Sequence, residues 1–266
     1  DARLLLVDSR ARLLELQNLN LGNVELLSSL DDVNEAIDLC VVSTSCESRL
    51  AIYKRCLELN PRYIILEKYL FKSREEFEEC LALDRLPTFV NQWLYGSKAF
   101  DCIFEEEVRS VELIGSNWGM ACNAVHWIDV FKRHMKITHL QAGSDTRISK
   151  VFPSKRAGYE EIHGELVFTD RDSDKTFRLV DHGDESLAGM QEFRLKNKVY
   201  LFDFTKITLN RKVISHFPYL SDLIGEVVGE ILQNGRSHLP SLEESISQHL
   251  LIEDMLEKLD RRPNIT

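Results

Sequence analysis

The sequence predicts an α/β domain on a parallel sheet, followed by an α+β domain on a mostly antiparallel, open sheet. Three observations carry this. Short apolar runs alternate with helical patterns through residues 1–93. Those runs are apolar at consecutive positions, as in strands buried on both faces. Beyond Gly158 the strands come in hairpin-like pairs and the helices gather at the end, the segregation that marks an α+β arrangement.

In order, the first strand is LLLV at 4–7, ending at Asp8, and a helical pattern with Leu13, Leu14 and Leu16 follows. VELL at 24–27 is the second strand, Asp31-Asp32 opens a short helix, and IDLCVVS at 37–43 is the third strand. The next helix is the clearest. Leu50, Tyr53 and Leu57, and likewise Ile52, Cys56 and Leu59, recur at spacings of three and four, and Asn60-Pro61 stops it. The fourth strand lies in RYIILEKYL at 62–70; it is apolar from Tyr63 to Leu66 and then delivers Glu67-Lys68. Ser73-x-x-Glu76 is a capping box ahead of Phe77, Cys80 and Leu81, and LPTFVN at 86–91 is the fifth strand. In a parallel sheet the carboxyl ends of the strands share one rim, and ligands bind there. This rim carries Asp8, Ser43-Thr44-Ser45, Glu67-Lys68 and Asn91.

The second half spans 94–266. RSVELIGSNW at 109–118 reads as a strand and ACNAVHWIDVFKR at 121–133 as a buried helix. The strands EIHGELVFTD and KTFRLVDH join through the polar turn Arg171-Asp172-Ser173-Asp174, and QEFRLKNKVYLFDF folds back at Lys196-Asn197-Lys198. Of two closing helices, one carries Leu220, Ile224, Val227 and Ile231 and ends at Asn234-Gly235. The other opens with the capping box Ser241-x-x-Glu244.

Composition narrows the function. With 44% hydrophobic and 29% charged residues, the chain has the makings of a globular core, and no stretch approaches the roughly 18 apolar residues of a membrane span. The net charge of −10 opposes nucleic-acid binding, which needs clustered Lys and Arg; Arg194 to Lys198 is a short, broken cluster. Six cysteines, at 40, 46, 56, 80, 102 and 122, form no C-x-x-C pair, so no metal site is expected. Cys40, Cys56 and Cys80 fall on apolar patterns like small buried hydrophobes, which suits a reducing compartment, the cytoplasm.

Three segments, in this order, resemble the Gfo/Idh/MocA family of oxidoreductases, typified by glucose-fructose oxidoreductase and inositol dehydrogenase. They are VVSTSCESRLAIYKRCLELNPRYIILEKYL at 41–70, GMACNAVHWIDVF at 119–131 and HLPSLEESISQHLLIEDML at 238–256. The resemblance implies a Rossmann-like dinucleotide-binding domain over 1–93 and an α+β substrate-binding and oligomerisation domain over 94–266. It implies an NAD cofactor (NADP is the alternative), a sugar, polyol or sugar derivative as substrate, and a homodimer or homotetramer formed through the second-domain sheet. Three departures stand out. The family opens with a strand and a G-x-G-x-x-G loop, and this sequence has no G-x-G. The expectation is therefore a longer polypeptide, with a strand, loop and helix ahead of residue 1, whose first strand is missing here. Tyr69 stands where the family usually has proline, and Cys122 where many members have an aspartate four residues before the histidine.

Oxidising an alcohol removes a hydride from carbon and a proton from oxygen; the cofactor handles the first and the protein must accept the second. By resemblance Lys68 touches the cofactor ribose and the substrate hydroxyl and is catalytic; the residues alone also allow a surface lysine paired with Glu67. His126, by family position, is the second catalytic candidate, since imidazole suits proton transfer; spacing alone favours a core histidine beside Trp127. Cys122, Asn123 and Asp129 share its neighbourhood as substrate contacts, with Asn123 supplying the hydrogen bond that Cys122 does not. Asp8, at its strand end, suits the adenosine ribose hydroxyls, or caps the helix that follows; Ser9 accompanies it, and Arg10 would favour NADP. Ser43, Thr44 and Ser45 line the dinucleotide, or serve loop hydrogen bonds; Glu67 and Asn91 are cofactor contacts as well, Asn91 near the nicotinamide. Trp93 and Tyr95 approach nicotinamide and substrate, or, for Trp93, fill core between the domains. The second functional reading, motivated by Cys122 and Tyr69, is a non-catalytic dinucleotide-binding sensor or assembly protein of the same fold.

Overall fold

The computed structural model describes residues 3–17, 22–92, 98–184, 187 and 189–265. Its first half runs β1 (Leu4–Val7), α1 (Arg10–Leu16), β2 (Val24–Leu27), β3 (Leu39–Val42), α2 (Cys46–Leu59), β4 (Tyr63–Glu67), α3 (Arg74–Leu83) and β5 (Thr88–Asn91). All five strands expected there are present, and every pairing is parallel. They form two sheets: β1 pairs β2, and β3, β4 and β5 pair in that order. Leu4 and Val41 accordingly stay 54% and 57% exposed, against complete burial for Ile64 and Leu66 in the middle of the three-stranded sheet. The short helix expected at Asp31-Asp32 is a single 3₁₀ turn, Leu30–Asp32. Asn60 ends α2 in the left-handed conformation, φ 50°, and the proline that follows cannot continue a helix.

The second half holds β6 (Ser110–Gly115), α4 (Met120–His134), β7 (Leu140–Ala142), β8 (Arg147–Pro153), β9 (Glu160–Asp170), β10 (Thr176–Asp181), β11 (Gln191–Leu195), β12 (Lys198–Phe202), β13 (Lys206–Leu209), β14 (Lys212–His216), α5 (Leu220–Asn234) and α6 (Leu242–Leu256). One nine-stranded sheet results, in the order β14-β13-β12-β11-β6-β10-β9-β7, with β8 also on β9. Only β6–β10 is parallel among its pairings. Helix α4 lies against this sheet. Trp127 and Phe131 are buried there and meet Phe193 edge-on, at centroid distances of 5.3 and 6.1 Å, the favoured aromatic geometry.

The sequence reading did not contain β7, β8, β13 and β14. Strands β8 and β14 are exposed at most positions, so neither shows the in–out alternation that marks a half-buried strand. The β13–β14 turn is Asn210-Arg211, both at positive φ (50° and 65°); an arginine hides a turn that glycine would announce.

The division expected near residue 93 falls beside residues 93–97, outside the described part. Both closing helices return to the first half. Ile231 of α5 and the following Leu239 pack on Ile65, Tyr63 and Phe89, and α6 packs under α3 and β5. One continuous apolar core runs from Val42 and Leu66 through α4 to Phe202 and Ile207. No helix among the described residues is long and apolar enough to cross a membrane.

Candidate active site

The rim of β3, β4 and β5 faces the start of α4, and a cavity of about 920 Å³ lies between them. Both halves of the chain wall it. From the first come Ser43, Thr44, Ser45, Glu67 and Lys68; from the second come Cys122, Asn123 and Glu161.

Lys68 leaves the end of β4 and crosses to α4. Its Nζ donates to Asn123 Oδ1 at 2.7 Å and to the Cys122 carbonyl at 3.2 Å. Asn123 is itself oriented, because its Nδ2 donates to the Trp118 carbonyl at 2.9 Å; its oxygen is thereby turned toward the lysine. Glu67 does not pair with the ammonium. One of its oxygens accepts from Asn91 Nδ2 at 2.8 Å and the other from the Lys68 backbone N–H at 3.2 Å. Asn91 thus holds Glu67 and is absent from the described cavity lining.

The turn after Lys68 is braced from beneath. The Lys68–Tyr69 peptide bond is cis. Arg49 of α2, 2% exposed, donates to the carbonyls of Thr44, Tyr69 and Leu70 and so ties the β3 rim loop to the Glu-Lys turn. The Tyr69 hydroxyl donates to Glu253 of α6, whose other oxygen accepts from Arg262 Nε at 2.8 Å. His249 Nε2 accepts the Leu70 N–H at 3.3 Å. Where a proline would only shape the chain, Tyr69 also supplies a donor that anchors the turn to α6.

Three groups on α4 are set by burial. Burial pushes the Cys122 thiol up to about 12, despite Lys68 nearby, so it stays protonated. His126 is buried one helical turn beyond; burial, then Lys68 and His249, hold it well below the usual imidazole range, in the neutral form. It is not part of the described cavity lining, although Cys122 and Asn123, one turn earlier on α4, are. Asp129 sits in the α4–α6 interface and is not part of the described cavity lining: its Oδ1 accepts from Arg133 Nε at 2.9 Å and Gln248 Nε2 at 3.2 Å.

The dinucleotide contacts divide. Ser43, Thr44 and Ser45 line the cavity, and the buried Thr44 hydroxyl has no hydrogen-bond partner among the described residues. A polar group buried without a partner is costly, and a ligand hydroxyl or phosphate oxygen would satisfy it. Strand ends, an orphaned hydroxyl and a cavity of this size fit a nicotinamide dinucleotide. The cap of α1 is Ser9, whose Oγ accepts from Arg12 N at 3.4 Å; Asp8 is not the cap, and its Oδ1 accepts the adjacent Ser9 N–H at 2.6 Å. Both are exposed and neither lines the described cavity, because β1 belongs to the separate sheet. The Arg10 side chain, Trp93 and Tyr95 lie outside the described residues.

Two residues absent from the sequence reading belong to the site. Glu161, on β9, is buried beside Cys122; its Oε2 accepts the Ala121 N–H at 2.8 Å at the start of α4, and burial raises its carboxyl above the usual range. Arg49 was legible: it sits four residues before Tyr53 and seven before Cys56, a charge on the apolar stripe of α2. Glu161 carried no such signal, since its partner lies forty positions away.

No family model matches the chain, and no curated protein matches it by sequence. Many solved structures match its fold. A dehydrogenase (MviM) from Clostridium difficile aligns over 97% of this chain and 100% of its own, at TM-score 0.65 and 14% identity. A myo-inositol dehydrogenase from Corynebacterium glutamicum aligns over 96% and 87%, at 0.65 and 13%. The super-repressor mutant of Gal80p from Saccharomyces cerevisiae aligns over 95% and 87%, at 0.67 and 12%. The chain therefore has the fold of the Gfo/Idh/MocA-type oxidoreductases that its sequence resembles: a Rossmann-like parallel-sheet unit joined to an open, mostly antiparallel sheet.

Proposed function

We propose that this protein is an NAD(P)-dependent oxidoreductase that interconverts an alcohol and a carbonyl on a sugar, polyol or sugar derivative. The observation that carries the reading is the convergence of Lys68 from the β4 rim and Asn123 from α4, 2.7 Å apart at the wall of one cavity. The cofactor, when bound along the rim, supplies or accepts the hydride. Thr44, with its neighbours Ser43 and Ser45, would hold it. Lys68 is the group placed to take the hydroxyl proton on oxidation or return it on reduction, and Asn123 keeps its Nζ aimed at the cavity. Cys122, held as a thiol, offers a weak hydrogen bond and no charge. The buried carboxyl of Glu161 lies next to it and supplies the acidic group that position 122 lacks. Association through the outer sheet, as a homodimer or homotetramer, and a cytoplasmic location accompany this reading.

The test is turnover of a panel of sugars and polyols with NAD and NADP, with Lys68→Ala as the control. A loss of at least about a hundredfold in kcat is expected for a proton-transfer group; turnover indifferent to Lys68 would sink the mechanism. A non-catalytic dinucleotide sensor is the second reading. The buried, neutral His126 and neutral Cys122 favour it, and the Gal80p structure, a super-repressor mutant, shares the fold. It predicts dinucleotide binding without turnover of any member of the panel.

A further inference from the structure

Part of the cavity wall is a short turn between β8 and β9, residues 154–159, and its charge is unlike that of the rest of the molecule. The chain as a whole carries a net −10. Among the described residues, the cavity lining holds four cations, Arg49, Lys68, Lys155 and Arg156, and two carboxylates, Glu67 and Glu161. The carboxylates nearby are engaged elsewhere. Glu67 is held by Asn91, and Glu161 by the Ala121 N–H. Glu47 serves the Tyr159 hydroxyl and Lys72, the latter at 3.3 Å. Glu160 takes both terminal nitrogens of Arg261 and the Asn264 N–H.

The turn is also fixed in place. Ser154 N donates to the Tyr159 carbonyl at 2.8 Å, and Tyr159 N to the Arg156 carbonyl at 3.2 Å. Asn264 Nδ2 donates to the Gly158 carbonyl at 2.7 Å. Through Tyr159 and Glu47 the turn is tied across the cavity to the first turn of α2. The Arg156 guanidinium sits 5.8 Å from the Tyr159 ring centroid, and its field reaches both Cys122 and Arg49. Arg49 is buried on backbone carbonyls, with no carboxylate in hydrogen-bond contact among the described residues. A cavity between low-dielectric walls whose lining has more cations than carboxylates favours ligands of negative charge.

We propose that the substrate of this site carries a carboxylate or phosphate group, and that Lys155 and Arg156 on the β8–β9 turn receive it while its hydroxyl faces Lys68. This rests on the oxidoreductase reading only in assigning the anion to the substrate. The turn grows from β9, the strand that also places Glu161, on the half of the chain that does not carry the dinucleotide rim. Guanidinium and ammonium groups at a pinned turn suit such oxyanions through charge-assisted hydrogen bonds.

The experiment is calorimetric titration of the full chain and of the double variant Lys155→Gln/Arg156→Gln with D-glucose, D-gluconate, glucose 6-phosphate and, separately, NADH. Both positions are exposed, so the variant should melt like the parent. At least one of the two anionic sugars should bind about tenfold or more tighter than glucose, and should lose about tenfold in the variant, while NADH affinity holds within about twofold. Equal affinity for glucose and both anions, no binding of either anion, or anion binding indifferent to the variant would each overturn the proposal. So would a loss of NADH affinity equal to the loss for the anion, which would make the pair a clamp on the cofactor phosphates. Absence of NADH binding by the parent, with the anion preference intact, would remove the oxidoreductase reading and leave the anion site standing.

Discussion

The carboxyl ends of β4 and β1, which belong to two separate sheets, are built differently. At the β4 end, the turn bearing Lys68 rests on a buried frame: Arg49 on three carbonyls, Tyr69 on Glu253, His249 on Leu70. At the β1 end, Asp8 and Ser9 stand in solvent; Ser9 caps a seven-residue helix, and Asp8 accepts the N–H of that same serine. Preorganisation follows the chemistry. A group that must meet a reacting atom needs its position fixed within fractions of an ångström, which takes buried partners with satisfied hydrogen bonds. A group at the solvent end needs only to be present.

The sharpest way to break this contrast is to remove the frame. Arg49→Leu strips donors from three buried carbonyls and should cost about 3 kcal/mol or more of stability, read by urea denaturation. A cost near that of a surface change would mean the turn stands without it. A second break is acid. Burial lowers His249 to about 3 and His126 well below its ordinary value of 6.5. Between those values and 6.5 the unfolded chain binds more protons than the folded one, so stability rises with pH there. The contribution is fully present above about pH 6.5 and is lost progressively as pH falls toward the folded values. Thermal melts at pH 7.5 and 5 should differ by roughly 5 °C or more, and His249→Gln should flatten the slope. The smallest effect is expected at the other end: Asp8→Asn should change stability by about 0.5 kcal/mol or less. A large loss there would erase the distinction between the two ends.

How much of this could be read from the chain depends on range. The parallel strands, α2, α4, α6 and the rim positions Ser43 to Ser45 and Lys68 follow from patterns within a dozen residues, and the structure keeps them. The approach of Lys68 to Asn123 was not in those patterns; the ordered resemblance of two distant segments brought Lys68 and the start of α4 to one cleft, with His126 rather than Asn123 as the expected partner. Two residues show where local reading ends. Asp8 was legible both as a ribose ligand and as a capping residue; in the structure its neighbour Ser9 is the cap, and Asp8 stays exposed at the strand end. Asp129 shares a helix face with His126, yet that face turns toward Gln248 on α6, 119 positions later. Spacing along one helix says which residues are neighbours without saying what the face meets. Glu161 and the basic turn at Lys155-Arg156 enter the site only through the pairing of β8 with β9 and the packing of that pair on α4.

The central proposition is that a dinucleotide's reactive end lies against Lys68, where the two halves of the chain meet. Mass-spectrometric mapping of lysine acetylation by a mild acylating reagent, with and without saturating NADH or NADPH, tests it on the unaltered protein. Lys68 should be acylated in the free protein and protected by one of the two cofactors, while Lys54 and Lys198, both about two-fifths exposed on the outer surface, react equally in both. Lys68 acylated to the same extent under saturating cofactor as without it would contradict the assignment.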